Sequence, residues 1–309
     1  MWVYVFKKLT TLITIMFGTT FIAFMILYWF ASFDPLADLA ARAQAAYPPE
    51  VILYQLRELF GHNENILIRY VRYMAGVFTG DFGHSFRNHV PIAPLVMSSL
   101  FYTLQLSGIA LIASIVTAFP LAIFMVLKKS TWVCKALMVI AQIGASMPAF
   151  LIAVFLIISF PQIIGVRIPG LYDNELFLLP IIALSAGMFF GITRTIQISL
   201  LDIAETDYIR TARSKGLTEK RVVYKHVLRN ALVPILSAFQ AHLGSFFTSI
   251  VIIEVLLGLR GIGWLFIQSV GVADYPLLLG CFVMLVFCAA LLNTLVDIFR
   301  AVILAEQLA

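Results

Sequence analysis

Six apolar runs set the rhythm of the chain, each long enough to cross the roughly 30 Å of hydrocarbon in a bilayer. They extend from Leu9 to Phe33, Ser99 to Leu127, Ala136 to Phe160, Leu176 to Leu200, Leu232 to Leu257 and Pro276 to Ile298. The expected fold class is therefore all-α integral membrane, with six transmembrane helices. The first run follows Lys7 and Lys8 as a signal peptide would, but its apolar core is too long and no A-x-A-like site follows. It reads as an uncleaved anchor. Two stretches interrupt the pattern. Residues 34–98 carry mixed charge, and "EVILYQLRELF" at 50–60 sets Val51, Leu53, Leu56, Leu59 and Phe60 at near-helical spacing after "YPPE". That spacing predicts a short amphipathic helix over the outer mouth. The second interruption, residues 201–233, is strongly basic. The chain thus divides into an N-terminal span (1–33), an external loop region (34–98) and a five-helix core (99–309) that includes the basic loop.

Composition agrees with the pattern. Of 309 residues 61% are hydrophobic and 12% charged, about half the charged fraction of soluble domains. The net charge of +5 encodes orientation rather than nucleic-acid binding, because Lys and Arg gather on one side of the spans. Lys7 and Lys8, Lys128, Lys129 and Lys135, the eight from Arg194 to Arg229, and Arg300 share that side, against Arg167 and Arg260 in the short opposite loops. Both termini are expected in the cytosol. Cys134, Cys281 and Cys288 form no metal or redox spacing; they read as packing residues, and no metal site is expected.

The basic loop has internal structure. "SLLDIAETDYIRTARSKG" reads as helix throughout, ended by Gly216 in a left-handed conformation. Thr218 is placed to cap a second helix from Glu219 towards Asn230. That helix carries Val223, Val227 and Leu228 on one side and Lys220, Arg221, Lys225 and Arg229 around the rest, and Pro234 opens the next span. Two readings stay open at this level: a basic loop resting on anionic headgroups, or a docking knob that transmits a partner's movement because spans hold both its ends.

"DYIRTARSKGLTEKRVVYKHVLRNALVPIL", 207–236, resembles the cytoplasmic loop of ABC-importer permeases, in the form found in the oligopeptide/dipeptide/nickel group. Of the general Glu-Ala-Ala and Gly pattern, Arg210, Thr211 and Ala212 hold the first three places and Gly216 the Gly. The later Ile-x-Leu-Pro is altered to Val227, Arg229 and Asn230. Two further stretches carry the likeness. "GDFGHS" provides Gly80, Asp81, Phe82, Gly83 and Ser85, as at the end of the external segment of the B-type permeases. "VIIEVLLGLRGIGWLFIQSVGVADYPLLLG", 251–280, resembles the outer loop after span five in Glu254, Gly261, Gly263 and Asp274-Tyr275-Pro276. Arg260 stands where the family usually has Pro, and the usual Asp-Pro-Arg ending is replaced by "LAEQLA".

The resemblance implies a type I importer permease fold in the bacterial cytoplasmic (inner) membrane. It implies a second homologous permease, two cytosolic ATPase subunits, an extracytoplasmic substrate-binding protein and surrounding lipid as partners, and peptides as cargo, with nickel or another metal chelate as the alternative. The chain has no G-x-x-x-x-G-K-[ST], hence no loop to cradle phosphates. ATP and Mg are expected on the partner ATPases, with no cofactor and no catalysis here. The residues expected at the ATPase are Tyr208, Arg210, Ala212, Lys215, Gly216, Leu217, Arg221, Lys225, His226 and Val227. Those expected at the binding protein or outer gate are Gly80, Asp81, Phe82, Gly83, Ser85, Glu254, Gly261 and Gly263. Asp81, between glycines, equally suits a turn, and Glu254 suits fixing the loop that begins at Gly258. Gln105, Gln142, Gln240 and His242 are the intramembrane polar groups expected to line a passage, with helix–helix hydrogen bonding as their other reading. Outside the family, a secondary transporter lacks the mid-depth charges it would need. A hydrolase built on Gly83-His84-Ser85 lacks a second His/Asp set.

Overall fold

The computed structural model describes residues 2–33, 65–85, 87–128, 131–164, 178–272 and 274–308; the helix expected at 50–60 lies outside them. Among the described residues, regular structure is helical apart from one bridge between His84 and Pro91. In chain order the helices are α1 (Trp2–Phe33), α2 (Ile66–Thr79), α3 (Ile92–Leu127), α4 (Trp132–Ser146), α5 (Ala149–Ile164), α6 (Leu178–Ala204), α7 (Asp207–Ser214), α8 (Glu219–Val222), α9 (Leu228–Leu257), α10 (Ile262–Gly271) and α11 (Tyr275–Leu308). A π-helical turn, Val223–Val227, joins α8 to α9.

Five of these stretches are long and apolar enough to cross a membrane: Tyr4–Leu27, Ile92–Leu127, Leu178–Ala204, Glu219–Leu257 and Tyr275–Ala305. The span expected from Ala136 to Phe160, in which Pro148 is placed to bend or start a span, is split. Trp132–Ser146 and Phe150–Leu156 meet at 107°, so six spans are reached only when the bent pair counts as one. Pro148 is the cause: it has no N–H, and its ring drives the preceding residue out of the helical region. Met147 accordingly adopts φ −84°, ψ 129°. Pro120 is absorbed inside α3, and Pro180 lies in the first turn of α6, where a missing N–H is harmless. The second span starts at Ile92 rather than Ser99.

The residues group into two compact units: Met1–Leu9, Phe101–Trp264 and Leu291–Ala309 in the first, Thr10–Leu100 and Leu265–Ala290 in the second. In the first unit α6 packs against α4, α5 and α9. Its buried positions Leu184, Met188, Ile192, Ile196 and Leu200 recur every four residues, the spacing of one helix face. Small residues allow close approach. A Cβ on Gly144 would fall 2.3 Å from the Phe190 ring, and one on Gly191 would meet His242 at 3.0 Å. An ion cluster ties the start of α1 to the end of α11: Lys8 Nζ lies 2.6 Å from Asp297, and Arg300 lies 3.2 Å from the same carboxylate. Arg300 also donates to Ser237 of α9 at 3.1 Å.

In the second unit α2 runs antiparallel along α1. The Tyr70 hydroxyl donates to the Phe17 carbonyl at 2.8 Å and shares a 2.8 Å hydrogen bond with Thr20. Phe17 stacks on Phe78, Phe21 meets Tyr70 edge-on, and Phe24 contacts both Tyr70 and Tyr73. Aromatic packing thus seats residues 66–79 against α1.

Asp297 pairs with both cations of this cluster, and its side chain is 12% exposed. Asp297→Ala leaves two partly exposed cations facing each other, a cost below the about 3–5 kcal/mol of a fully buried pair. A marked fall in the thermal midpoint of the purified protein is expected, with partial recovery in the Lys8→Asp/Asp297→Lys exchange. An unchanged midpoint in the single variant would remove the cluster from the forces holding the helix ends.

Candidate functional site

The basic loop forms a knob whose roots are buried and whose tips are exposed. Ile209, Val222, Val223 and Val227 have no exposed surface, so one side of each short helix is fixed to the core. Tyr208, Arg210, Lys215, Arg221, Tyr224 and Lys225 point outward. Of the residues expected at a partner ATPase, Val227 is therefore an anchor rather than a contact, while Ala212, Leu217 and His226 are half-buried.

The local structure departs from the sequence expectation in three ways. The helix expected through to Gly216 breaks at Glu205–Thr206, separating α6 from α7. Thr218 occupies the cap position of α8 in extended conformation, but its side chain makes no capping hydrogen bond. The second short helix does not stop before Pro234; through the π-helical turn it runs on into α9, and Pro234 lies inside that helix. A π turn and a proline both loosen the regular backbone ladder. Asn230 lies between them, donating from Nδ2 to the His226 carbonyl at 3.0 Å and to the Tyr208 hydroxyl at 3.2 Å.

Gly216 takes the left-handed conformation, φ 78°, with open space around it. The joint it makes is braced. Arg213 Nε and Nη2 donate to the two oxygens of Glu219 at 3.1 and 2.8 Å, and Nη1 donates to the Ala204 carbonyl at 3.0 Å. One guanidinium thus holds the end of α6, its own helix α7, and α8 across the glycine. The Glu219 hydrogen bonds raise the Arg213 pKa above its ordinary value, so the cation persists at any working pH. An exposed pair of this kind contributes only about 0.2–1 kcal/mol; its effect is geometric, because a bidentate fork fixes orientation.

At the other end of α9, Glu254 is fully buried. Its carboxylate accepts from Thr103 Oγ1 of α3 at 2.6 Å and from the backbone N–H of Gly263 and Trp264 at 2.8 and 3.2 Å. Ile262 N donates to Thr103 Oγ1 at 2.8 Å. The acid thereby caps the first turn of α10, where a negative charge is favourable. Two glycines make room for it. A Cβ on Gly261 would lie 2.0 Å from the Glu254 oxygen, and one on Gly263 would meet the Val251 Cα at 2.7 Å. Glu254, Gly261 and Gly263 form one buried clasp that holds the loop from Gly258 to Trp264, with no surface left for an outside partner. Thr103, within an apolar run, is the member sequence reasoning missed. The signal was indirect: a buried acid requires a donor.

The second unit holds a comparable arrangement. Gly80 and Gly83 have φ 82° and 80°, and the Asp81 side chain accepts from Gly83 N at 2.9 Å, an Asx turn. Phe82 and Ser85 are buried, and Ser85 Oγ donates to the carboxylate of Asp274. Asp274 in turn starts α11, its carbonyl accepting from Leu278 N at 2.9 Å. Gly80, Asp81 and His84 are the exposed residues of the motif, with Gly83 intermediate. Among the intramembrane polar residues, Gln240 donates to the Asn293 carbonyl at 3.3 Å and His242 Nε2 pairs with Thr195 Oγ1 at 3.0 Å, both between helices. Gln105 and Gln142 are exposed on this chain. Nothing brings the four together. Among the described residues no group of three or more His, Cys, Asp and Glu is placed to hold a metal ion.

A multi-pass helical membrane protein with a rooted, basic inter-span knob is the architecture of a transport permease. The chain belongs to the family described as binding-protein-dependent transport system inner membrane component, which matches residues 118–305. It is 28% identical over 301 residues to the glutathione transport system permease protein GsiC of Shigella flexneri, covering 97% of each chain. The oligopeptide transport system permease protein AppB of Bacillus subtilis is also 28% identical, over 312 residues and 97% of each. The nickel import system permease protein NikB of Staphylococcus aureus is 27% identical over 251 residues, 81% of this chain and 76% of its own. A solved chain of the MetNI methionine ABC transporter, in an inward-facing conformation, shares the fold with TM-score 0.55 and 22% identity. That match covers 68% of this chain and 96% of the other. Membership of the family sets aside the secondary-transporter and hydrolase readings.

Thr103→Val keeps the shape of the clasp and removes its hydroxyl, leaving one Glu254 oxygen and the Ile262 N–H unpaired. Each unsatisfied buried group is worth about 1–3 kcal/mol, so the variant should unfold at lower temperature, and Gly263→Ala likewise by backbone collision. Wild-type stability in both would show that Glu254 does not hold the loop.

Proposed function

We propose that the chain is one of two permease subunits of an ATP-driven peptide importer, lying in the bacterial inner membrane with both termini in the cytosol. It pairs with a homologous permease, rests on two ATPases that bind ATP and Mg, and receives cargo from an extracytoplasmic binding protein. The observation that carries the reading is the exposed knob rooted by Ile209, Val222, Val223 and Val227 and braced by Arg213. A partner gripping Tyr208, Arg210 and Arg221 moves a rigid body, because the brace prevents bending at Gly216. The movement then passes into α9 through the π turn and Pro234. Peptide cargo is preferred because the peptide and glutathione relatives align over 97% of the chain, and glutathione is itself a tripeptide. Import of a metal chelate is the second reading, supported by the shorter match to the nickel permease.

The exposed Gly80 and Asp81 suit a reversible, wet contact with a loaded binding protein. Buried Phe82 and Ser85, the latter bonded to Asp274, hold that surface in place.

The decisive experiment reconstitutes the chain with its second permease, ATPases and binding protein, and compares uptake of a tripeptide with uptake of a chelated nickel ion. Arg213→Ala should preserve assembly while lowering cargo moved per ATP hydrolysed, and Arg213→Glu/Glu219→Arg should restore part of that ratio. Absence of ATP-dependent uptake of either cargo by the wild type would overturn the function. A normal transport ratio in Arg213→Ala would overturn only the rigid-body mechanism.

A further inference from the structure

The helix α2 has more apolar surface than its packing uses. Its Tyr70–Met74 face is buried against α1, yet Leu67, Ile68, Val71 and Phe78 are 54%, 56%, 65% and 68% exposed. With Ala75, also exposed, these positions fall within an arc of about 100° at helical spacing. A stripe of this size facing water would be a liability for a folded protein. The polar residues of α2 fall elsewhere: Arg69 and Arg72 lie outside the arc and in the first half of the helix.

The depth of α2 follows from what it touches. Its partners on α1 are Phe17, Thr20, Phe21 and Phe24, all inside the apolar stretch Tyr4–Leu27 that is long enough to span a membrane. At 1.5 Å per residue they lie about 4–15 Å inside the Leu27 end. The antiparallel pairing puts the start of α2 beside Phe24 and its last turn beside Phe17, so α2 descends along α1 as it runs. Gly80, left-handed, then ends the helix and turns the chain. Arg69 and Arg72 stand at the shallow end, and Arg72 is exposed there, where a long cationic side chain reaches headgroups.

We propose that α2 is a membrane-inserted helix whose Leu67–Phe78 stripe is a binding surface for phospholipid acyl chains, with the exposed Arg72 at headgroup level. The occupant is lipid rather than water because the face is apolar and its depth is set by a membrane-spanning neighbour. The stripe also adjoins a span that is itself mostly uncovered, with Ile13 and Ile22 53% and 59% exposed. The inference does not depend on the cargo or on the ATPase contact. It makes α2 a lipid-anchored element, so Gly80 and Asp81, which follow it, are held from below by the bilayer.

The test uses the full chain with its partner subunits in phosphatidylcholine vesicles, in a background lacking Cys134, Cys281 and Cys288. Single cysteines at Val71→Cys and Phe78→Cys carry a bimane fluorophore, with Ile13→Cys as a span control and the exposed Lys128→Cys as a loop control. Acyl-chain-brominated phosphatidylcholine should quench Val71→Cys and Phe78→Cys as strongly as Ile13→Cys, and Lys128→Cys should keep its emission. Both should also resist a membrane-impermeant maleimide that labels Lys128→Cys. Fast maleimide labelling without quenching places α2 in water and overturns the proposal. Neither labelling nor quenching means that protein covers the stripe, which overturns it equally.

Discussion

A polar group carried into a bilayer must find its hydrogen-bond partners within the protein, and much of this architecture follows from that demand. Glu254 is the sharpest instance. Fully buried at the end of α9, it gathers Thr103 from another span and two backbone donors from the next helix. The demand for donors fixes where α10 begins, and the need to admit a carboxylate explains glycine at 261 and 263. The same rule operates around Asp297 and Arg300, where opposite charges and the Ser237 hydroxyl tie three helices together. Ser85 and Asp274 repeat it in the second unit. Hydrophobic burial does little to hold helices together when lipid is as apolar as leucine. Polar clasps and close glycine contacts supply the specificity instead.

The spans and the knob were legible in the sequence because each is a local pattern. Apolar runs announce themselves by length, and Gly216 by its place after a helix-forming stretch. Pairings over long sequence separations were not legible. Nothing in the run around Thr103 marks it as the partner of an acid 151 positions later. Pro148 was legible as a place where a span bends or starts, but the apolar residues on either side continue across it, and the size of the bend, 107°, was not legible. Pro234 misled in the opposite direction: it reads as a helix start, and the structure accommodates it within a continuous helix. The seating of α2 on α1 was hidden because Arg69 and Arg72 fall within a region of mixed charge. Of the residues expected at the outer motif, the sequence could not separate exposed Gly80 and Asp81 from buried Phe82 and Ser85. That division depends on the tertiary fold.

The knob shows how weak interactions acquire mechanical meaning. Arg213 adds little stability, yet it ties three backbone segments around the one glycine that could otherwise bend. The buried valines of α8 and the π turn root the same body in the core. Rigidity here comes from the number of attachments rather than the strength of any one.

The uninterrupted passage from Glu219 to Leu257 has a consequence of scale. Its 39 residues make a rod of about 58 Å at 1.5 Å per residue, nearly twice the thickness of the hydrocarbon. A tilt of about 5° at one end displaces the other by about 5 Å, the rise of a whole helical turn. Glu254 lies near the far tip, fastened to Gly263 and Trp264. The chain thus contains a lever with a handle on one side of the bilayer and a bolted load on the other. Its backbone loosens at the π turn and Pro234, both close to the handle, so the longer arm beyond them swings as a single piece.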